Sequence, residues 1–440
     1  MTALRDLLLR QKVMLGALLT LSVKVSGSLI MLGIFALAAR TMAAESFGLL
    51  AILFNGVSLI AVVATFGQDT HMMRAWGEYV EREPGAARGA ILFGCRILVL
   101  GLPIAAAVVV AWLALVDGRA SAGLIAAAAA FLVSQASLHF SSSVGRVVRG
   151  VLWSEPAREI AWRLPLLGLL ALLWWSHDTV SATVFFAVAA AGQAAAVLVL
   201  GLAVASGLPA PVRRAPAITH GREWLTRTGG MIASASAEAV NQYVDVVAIG
   251  ALAGPMVAAS YFAVSRYGNV FSMLAGGLQT YSIARISQLH FAGRQDELQL
   301  VIARVMVIVA LLVAVLLAVI VVAGPLLLSL FGSYYSDLYP ALLIYAGAMS
   351  FAALAGPGST MLLVTGHEGL YSRLLISTIA CKLVLFCLLV PLYGTNGAAC
   401  ALALTLVPMS VAIVVICIRR LGVDPSICAL PRLWRALIRL

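Results

Sequence analysis

The sequence predicts an all-α polytopic membrane protein, with about twelve transmembrane helices in two six-helix repeats. Three observations lead there: an apolar composition, apolar runs of membrane-crossing length, and inter-span turns that recur a little over 210 residues apart. Of the 440 residues 62% are hydrophobic and 11% charged, with a mean hydropathy of +1.03. Soluble domains carry roughly 25% charged residues, so this chain has too little polar surface to cover a water-soluble globule. Its apolar runs reach roughly twenty residues, the length at which a helix crosses ~30 Å of hydrocarbon. The shorter alternating segments of a membrane β-barrel are missing.

Apolar runs set against breakers place spans near 13–39, 47–67, 89–116, 121–145, 158–176 and 181–206. A second set falls near 228–252, 257–285, 300–323, 340–365, 370–392 and 396–418. Loop charges orient these spans, because arginine and lysine concentrate on the cytoplasmic side. Loops on that side hold Arg74, Arg82, Arg88, Arg146, Arg149, Arg158, Arg213, Arg214, Arg222, Arg227, Arg285, Arg294, Arg304 and Arg373. The opposite loops hold only Arg40 and Arg119, beside Glu45, Asp117, Asp178 and Asp337. The alternation persists to the end of the chain, so both termini are expected in the cytoplasm. The formal charge of +11 is absorbed by this orienting role and does not call for nucleic acid.

Residues 207–227, rich in Pro, Gly and Arg, read as a cytoplasmic linker. It separates an N-terminal six-helix bundle (1–206) from a C-terminal one (228–421), and a basic cytoplasmic tail follows (422–440). Arg432, Arg435 and Arg439 share one face of that tail, which predicts a short interfacial helix on anionic membrane lipid. The halves are related by their turns. Residues 39–51 join spans one and two as residues 251–263 join spans seven and eight, and Arg149–Pro156 enters span five as Thr365–Gly369 enters span eleven. With six spans each, both halves start on the same side, the parallel-repeat arrangement of transporters that enclose a central site.

Six cysteines without a CxxC or Cys/His cluster predict neither disulfides nor a structural metal. Short loops, no nucleophile–base pattern and no phosphate loop predict that the protein is not an enzyme and needs no cofactor. The chemistry lies in polar residues within spans, which are costly there and face a partner or a cavity. Span one carries Lys24, with Thr20, Gly27 and Ser28 near the same face. Span seven carries Glu238, Asn241, Gln242 and Asp245 at i, i+3, i+4 and i+7, a stripe expected to look inward. Span eight carries Ser265, Arg266 and Asn269, and span eleven carries Lys382. Two readings stand: buried ion pairs that fix helix register, or a cationic cavity in which Lys24, Arg266 and Lys382 hold an anionic substrate such as a diphosphate or acidic sugar. In the second, Glu238 or Asp245 binds a coupling proton or sodium ion, or holds Arg266 in place. His71, with Asp69 and Arg74, reads as a polar turn at the membrane surface; His139, with Gln135 and Ser142, reads as a hydrogen-bonded interhelical residue. Arg96 snorkels to the interface.

Several stretches resemble one family. Pro391-Leu-Tyr-Gly-Thr-Asn-Gly-Ala-Ala399 is similar to its Pro-x-Tyr-Gly-x-x-Gly-Ala-Ala turn between the last two spans. Phe331-Gly332 with Tyr334, Tyr339 and Pro340 resembles the stretch entering span ten, and Ala39-Arg40 with Glu45, Phe47 and Gly48 the first inter-span motif. Asp245, Gly254-Pro255 and Tyr261 look like the counterpart in the second half, although Ala43-Ala44 replaces the usual Gly-Pro of the first. The chain thus resembles the polysaccharide or O-antigen (Wzx-type) flippases of the multidrug/oligosaccharidyl-lipid/polysaccharide exporter superfamily. That resemblance implies a V of two six-helix bundles in the bacterial inner membrane. It further implies an undecaprenyl-diphosphate-linked oligosaccharide as substrate, proton or sodium coupling, and the polysaccharide polymerase machinery as a candidate partner. Tyr243, Tyr261 and Tyr267 either pack on sugars or pack between helices. A cation-coupled multidrug exporter of the same superfamily is the alternative, and a membrane polymerase or glycosyltransferase the more distant one.

Overall fold

The computed structural model describes residues 2–116 and 120–429, and every regular element among them is helical. The tail arginines Arg432, Arg435 and Arg439 therefore lie outside the described residues, as do Asp117 and Arg119. The order begins with α1 (Thr2–Thr41), α2 (Ala44–Val63), α3 (Gln68–Tyr79), α4 (Pro84–Val116), α5 (Ala122–Val148) and α6 (Val151–Pro156). A π-helical turn (Ala157–Ala161) leads to α7 (Arg163–Trp175), α8 (Ala182–Gly207) and the short α9 (Ala210–Arg214). Then come α10 (Gly221–Phe291), α11 (Gln295–Ser329), a 3-10 turn (Ser333–Leu338), α12 (Tyr339–Leu354), α13 (Gly358–Val364) and α14 (Glu368–Ile416).

Nine described stretches are long and apolar enough to cross a bilayer. Two of them are double. Helices α10 and α14 run for 71 and 49 residues, against roughly twenty for one span. Each is broken at one glycine, Gly254 at φ 82° and Gly394 at φ 54°, a region that side chains with a Cβ rarely enter. Pro255 then opens the next helix, where its missing N–H costs nothing. The π turn and α7 together (157–175) supply one more crossing, and the described helices accommodate twelve.

The chain divides by compactness into two units, Met1–Val247 and Ala248–Leu440. The boundary expected near residue 206 follows the repeated turns; the one at Val247 follows packing. Residues 221–247 belong to the first unit because Trp224, fully buried, stacks among Phe93, His71, Tyr79 and His220 at centroid distances of 5.4–6.1 Å. Arg227 also pairs with Glu78 at 3.0 Å. The linker ahead of them is docked: Arg88 Nη1 donates to the carbonyls of Arg213 (3.0 Å) and Ala215 (2.9 Å), and Ile218 N donates to Gly85 O (3.0 Å).

An aromatic core ties α1, α2, α5 and α8 in the first unit. Phe35–Phe54, Phe54–Phe131 and Phe131–Phe186 have centroids 5.1, 5.7 and 5.3 Å apart, contacts worth roughly 0.5–1.5 kcal/mol each beyond area burial. Helices α5 and α8 pack together, and both carry buried small residues, Ala128 and Ala136 on one and Ala189 and Ala190 on the other, of the kind that lets backbones approach where lipid removes the hydrophobic drive. Ser134 Oγ donates to Gln193 Oε1 across that contact at 2.9 Å. In the second unit Tyr261 meets Tyr345 and Phe386 edge-on at 5.8 and 6.2 Å, and the Tyr267 hydroxyl donates to Leu327 O. Leu100, Trp175 and Val322 are 70%, 81% and 83% exposed. Large apolar side chains exposed in this way are what hydrocarbon contact demands.

Candidate functional site

Lys24 lies on α1 and is half-buried. It makes no ion pair among the described residues. One turn on, Gly27 faces the π turn so closely that a Cβ there would sit 2.7 Å from Arg163 Nη1 and 2.8 Å from Glu159 O. Two charged residues the spacing of span one does not signal, Glu159 and Arg163, thus stand against α1 at Gly27, one turn from Lys24, and pair with each other at 2.9 Å. Their signal was present in the chain as a Glu and an Arg four apart at the head of an apolar run.

The stripe on α10 is less uniform than its spacing implied. Asn241 and Asp245 are half-buried, while Glu238 and Gln242 are exposed, so helical spacing aligned the four without burying them equally. His71 departs from its expected place. It is 2% exposed and packs against Phe93 at 6.0 Å and Trp224 at 5.4 Å, because α3 is a helix and not a surface turn. His139 is half-buried and its carbonyl accepts from Ser142 Oγ at 2.8 Å, while neighbouring Gln135 accepts from Ser58 Oγ at 3.3 Å. Arg96 is exposed on α4.

In the second unit the Arg266 guanidinium lies 4.2 Å from the centre of the Phe262 ring, one turn earlier on the same helix. A cation over a ring face is held by the ring quadrupole. Ser265 is buried and donates to Phe262 O, and Asn269 is exposed. Lys382 is 3% exposed, one turn before Phe386, the partner of Tyr261. Tyr261 and Tyr267 are 1% and 5% exposed, so both pack between helices here; Tyr243, in the first unit, is half-buried. No cluster of three or more His, Cys, Asp or Glu is placed to hold a metal among the described residues.

Helices with apolar exteriors and charged groups inside their spans define a class, the polytopic α-helical membrane proteins. A multidrug resistance MATE family transporter of the MOP superfamily, solved inward-facing, superposes with a TM-score of 0.68 at 15% identity, over 92% of this chain and 98% of that one. A MOP superfamily transporter from Pyrococcus furiosus, described by the reverse polarity of its binding pocket, gives 0.68 at 15% identity over 93% and 95%. The lipid II flippase MurJ, in an inward closed conformation, gives 0.68 at 11% identity over 90% and 86%. By sequence, the polysaccharide biosynthesis protein family matches residues 13–290, and the chain belongs to that family. No curated protein matches the chain. The resemblance drawn from the inter-span motifs thus holds at the level of family and of superfamily fold.

Proposed function

We propose that the protein is a flippase that moves an undecaprenyl-diphosphate-linked oligosaccharide from the cytoplasmic to the periplasmic leaflet of the bacterial inner membrane, for surface polysaccharide synthesis. Lys24 carries the reading: a cation within an apolar helix, without an ion pair among the described residues, in a chain of the polysaccharide biosynthesis family. A lysine there is stable only if an anion or water reaches it, and a diphosphate is the anion such a lipid carries. Arg266 and Lys382 add positive charge from the second half. Lys382 is buried, so it acts on the substrate only after its helix moves, as alternating access requires. Glu238, Asn241, Gln242, Asp245 and Asn269 supply acceptors for a coupling proton or sodium ion. Both termini lie in the cytoplasm, and the two halves act as parallel six-span repeats.

The test is complementation of a flippase-deficient strain at matched expression. Lys24→Ala is expected to lower surface polysaccharide at least about tenfold, and Arg266→Ala and Lys382→Ala by comparable amounts, since losing one partner of a desolvated charge pair costs ~2 kcal/mol or more. Wild-type output from all three variants would sink the cationic mechanism. Should the same strains export lipophilic cations, with Asp245→Asn abolishing that export and leaving surface polysaccharide at its wild-type level, the exporter reading would replace this one.

A further inference from the structure

The contact between α1 and the π turn holds more positive charge than its one acid can neutralise. Arg163 Nη1 reaches Glu159 Oε2 at 2.9 Å and the Glu159 carbonyl at 2.7 Å, and Arg158 Nε stands 3.8 Å from the other carboxylate oxygen. Lys24 lies one turn from Gly27, the residue that lets this pair approach α1. Two arginines thus share a single carboxylate, and Lys24 pairs with no acid among the described residues. The side chains of Arg163 and Glu159 are only 14% and 18% exposed, so this excess is poorly screened by water. Arg163 Nε is buried and has no hydrogen-bond partner among the described residues. The guanidinium therefore spends one edge on Glu159 and keeps an N–H unspent.

We infer that Arg163 is an anion-binding residue that works with Lys24, with the diphosphate end of the lipid substrate as its ligand and Glu159 as the group that positions it. The inference rests on the flippase reading and adds a binding residue to it. A guanidinium binds phosphate through two parallel N–H donors on one edge, and the Glu159 contact leaves such an edge, Nε with Nη2. The Trp162 ring, 5.2 Å from the guanidinium carbon, keeps the fork from swinging away. Its own indole N–H is anchored on Arg158 O at 2.8 Å. The π-helical turn Ala157–Ala161 gives the helix a place to shift register and expose that edge, as π turns do at working sites. The pair also lies at the end of its span that adjoins the arginine-rich loops. A diphosphate in the cytoplasmic leaflet sits at that depth, so Arg163 and Lys24 meet it first.

Full-length protein in phosphatidylcholine nanodiscs, titrated with undecaprenyl diphosphate and separately with undecaprenyl monophosphate, tests this by native mass spectrometry. Wild type is expected to prefer the diphosphate. Arg163→Gln is expected to weaken diphosphate binding about ten- to hundredfold and to erase the preference. Arg163→Lys, which keeps the charge and loses the fork, falls between, and Glu159→Gln binds the diphosphate at least as tightly as wild type. If Arg163→Gln lowers the thermal midpoint but leaves both affinity and preference at wild-type values, the pair is structural and the inference is overturned. If wild type itself shows no preference for the diphosphate, the flippase reading fails first and this inference with it. Should Arg163→Gln not fold, Arg163→Lys decides alone, and an unaltered preference in it counts against the fork.

Discussion

Replacing Gly356 with alanine is expected to destabilise the second unit by about 3 kcal/mol, combining ~1–2 for a left-handed residue bearing a Cβ and ~1–3 for overpacking. Gly356 has φ +82°, and a Cβ there would collide with the Pro425 carbonyl and stand 3.1 Å from Met306 Sδ. The obstacle is backbone, and that backbone is fastened. Gln299 clamps Asp424 at both ends of its amide, Nε2 donating to Asp424 O at 2.7 Å and Oε1 accepting from Asp424 N at 2.9 Å. Asp424 Oδ1 accepts in turn from the backbone N and hydroxyl of Ser426, at 2.9 and 2.7 Å. The segment after the last span therefore forms a strap across α11 and α13 that cannot yield to a methyl group. Thermal unfolding of detergent-purified protein reads the effect. Gly347→Ala is the control, because nothing lies within 4 Å of its Cβ position, and it is expected to be neutral or stabilising by up to ~1 kcal/mol. Equal midpoints for the two variants would refute the strap as a rigid element.

The second large effect is expected at Glu155. Its carboxylate pairs with Arg146 at 2.5 Å, with side-chain exposures of 3% and 28%. Removing one partner of a buried pair costs ~3–5 kcal/mol because the other charge stays behind desolvated. Water reaches Arg146 in part, so Glu155→Ala belongs near ~2–3 kcal/mol. The damage reaches the turn into α6, where Ser154 Oγ donates to Ser142 O at 2.5 Å. Arg146→Met combined with Glu155→Leu is expected to recover most of the loss, since two apolar groups leave no orphaned charge. A double-mutant cycle checks it: strictly additive losses would mean that the two residues do not act as a pair.

Glu155 and Glu159 show where sequence reading runs short. Both stand in a stretch that scans as the entrance to a span, and Arg146, Arg149 and Arg158 around them fit the loop-charge pattern, which accounts for those arginines without an ion pair. Lys24 was legible for the opposite reason, being a lone cation in a long apolar run. His71 has the local pattern of a surface turn, whereas its burial comes from Trp224, about 150 residues away in the chain, and no local pattern reports a contact at that separation. Arg266 and Lys382 could be found as intramembrane cations. That one lies over Phe262 and the other is buried beside Phe386 depends on helix rotation, which spacing leaves free.

What the sequence determined by itself is everything that follows from one-dimensional constraints. Hydrocarbon thickness sets span length, Gly254-Pro255 and the glycine of the Tyr393-Gly394 turn mark where long helices break, and the inter-span motifs mark the family. These signals are local, so they survive without knowledge of packing. Only the tertiary structure decided that residues 221–247 pack with the first unit, that the linker is docked on Gly85 and Arg88, and that Gly27 opens a notch for Glu159 and Arg163. Each of those depends on which face one helix presents to another. That choice is made by close packing and hydrogen bonding in lipid, where hydrophobicity no longer distinguishes one helix face from the next.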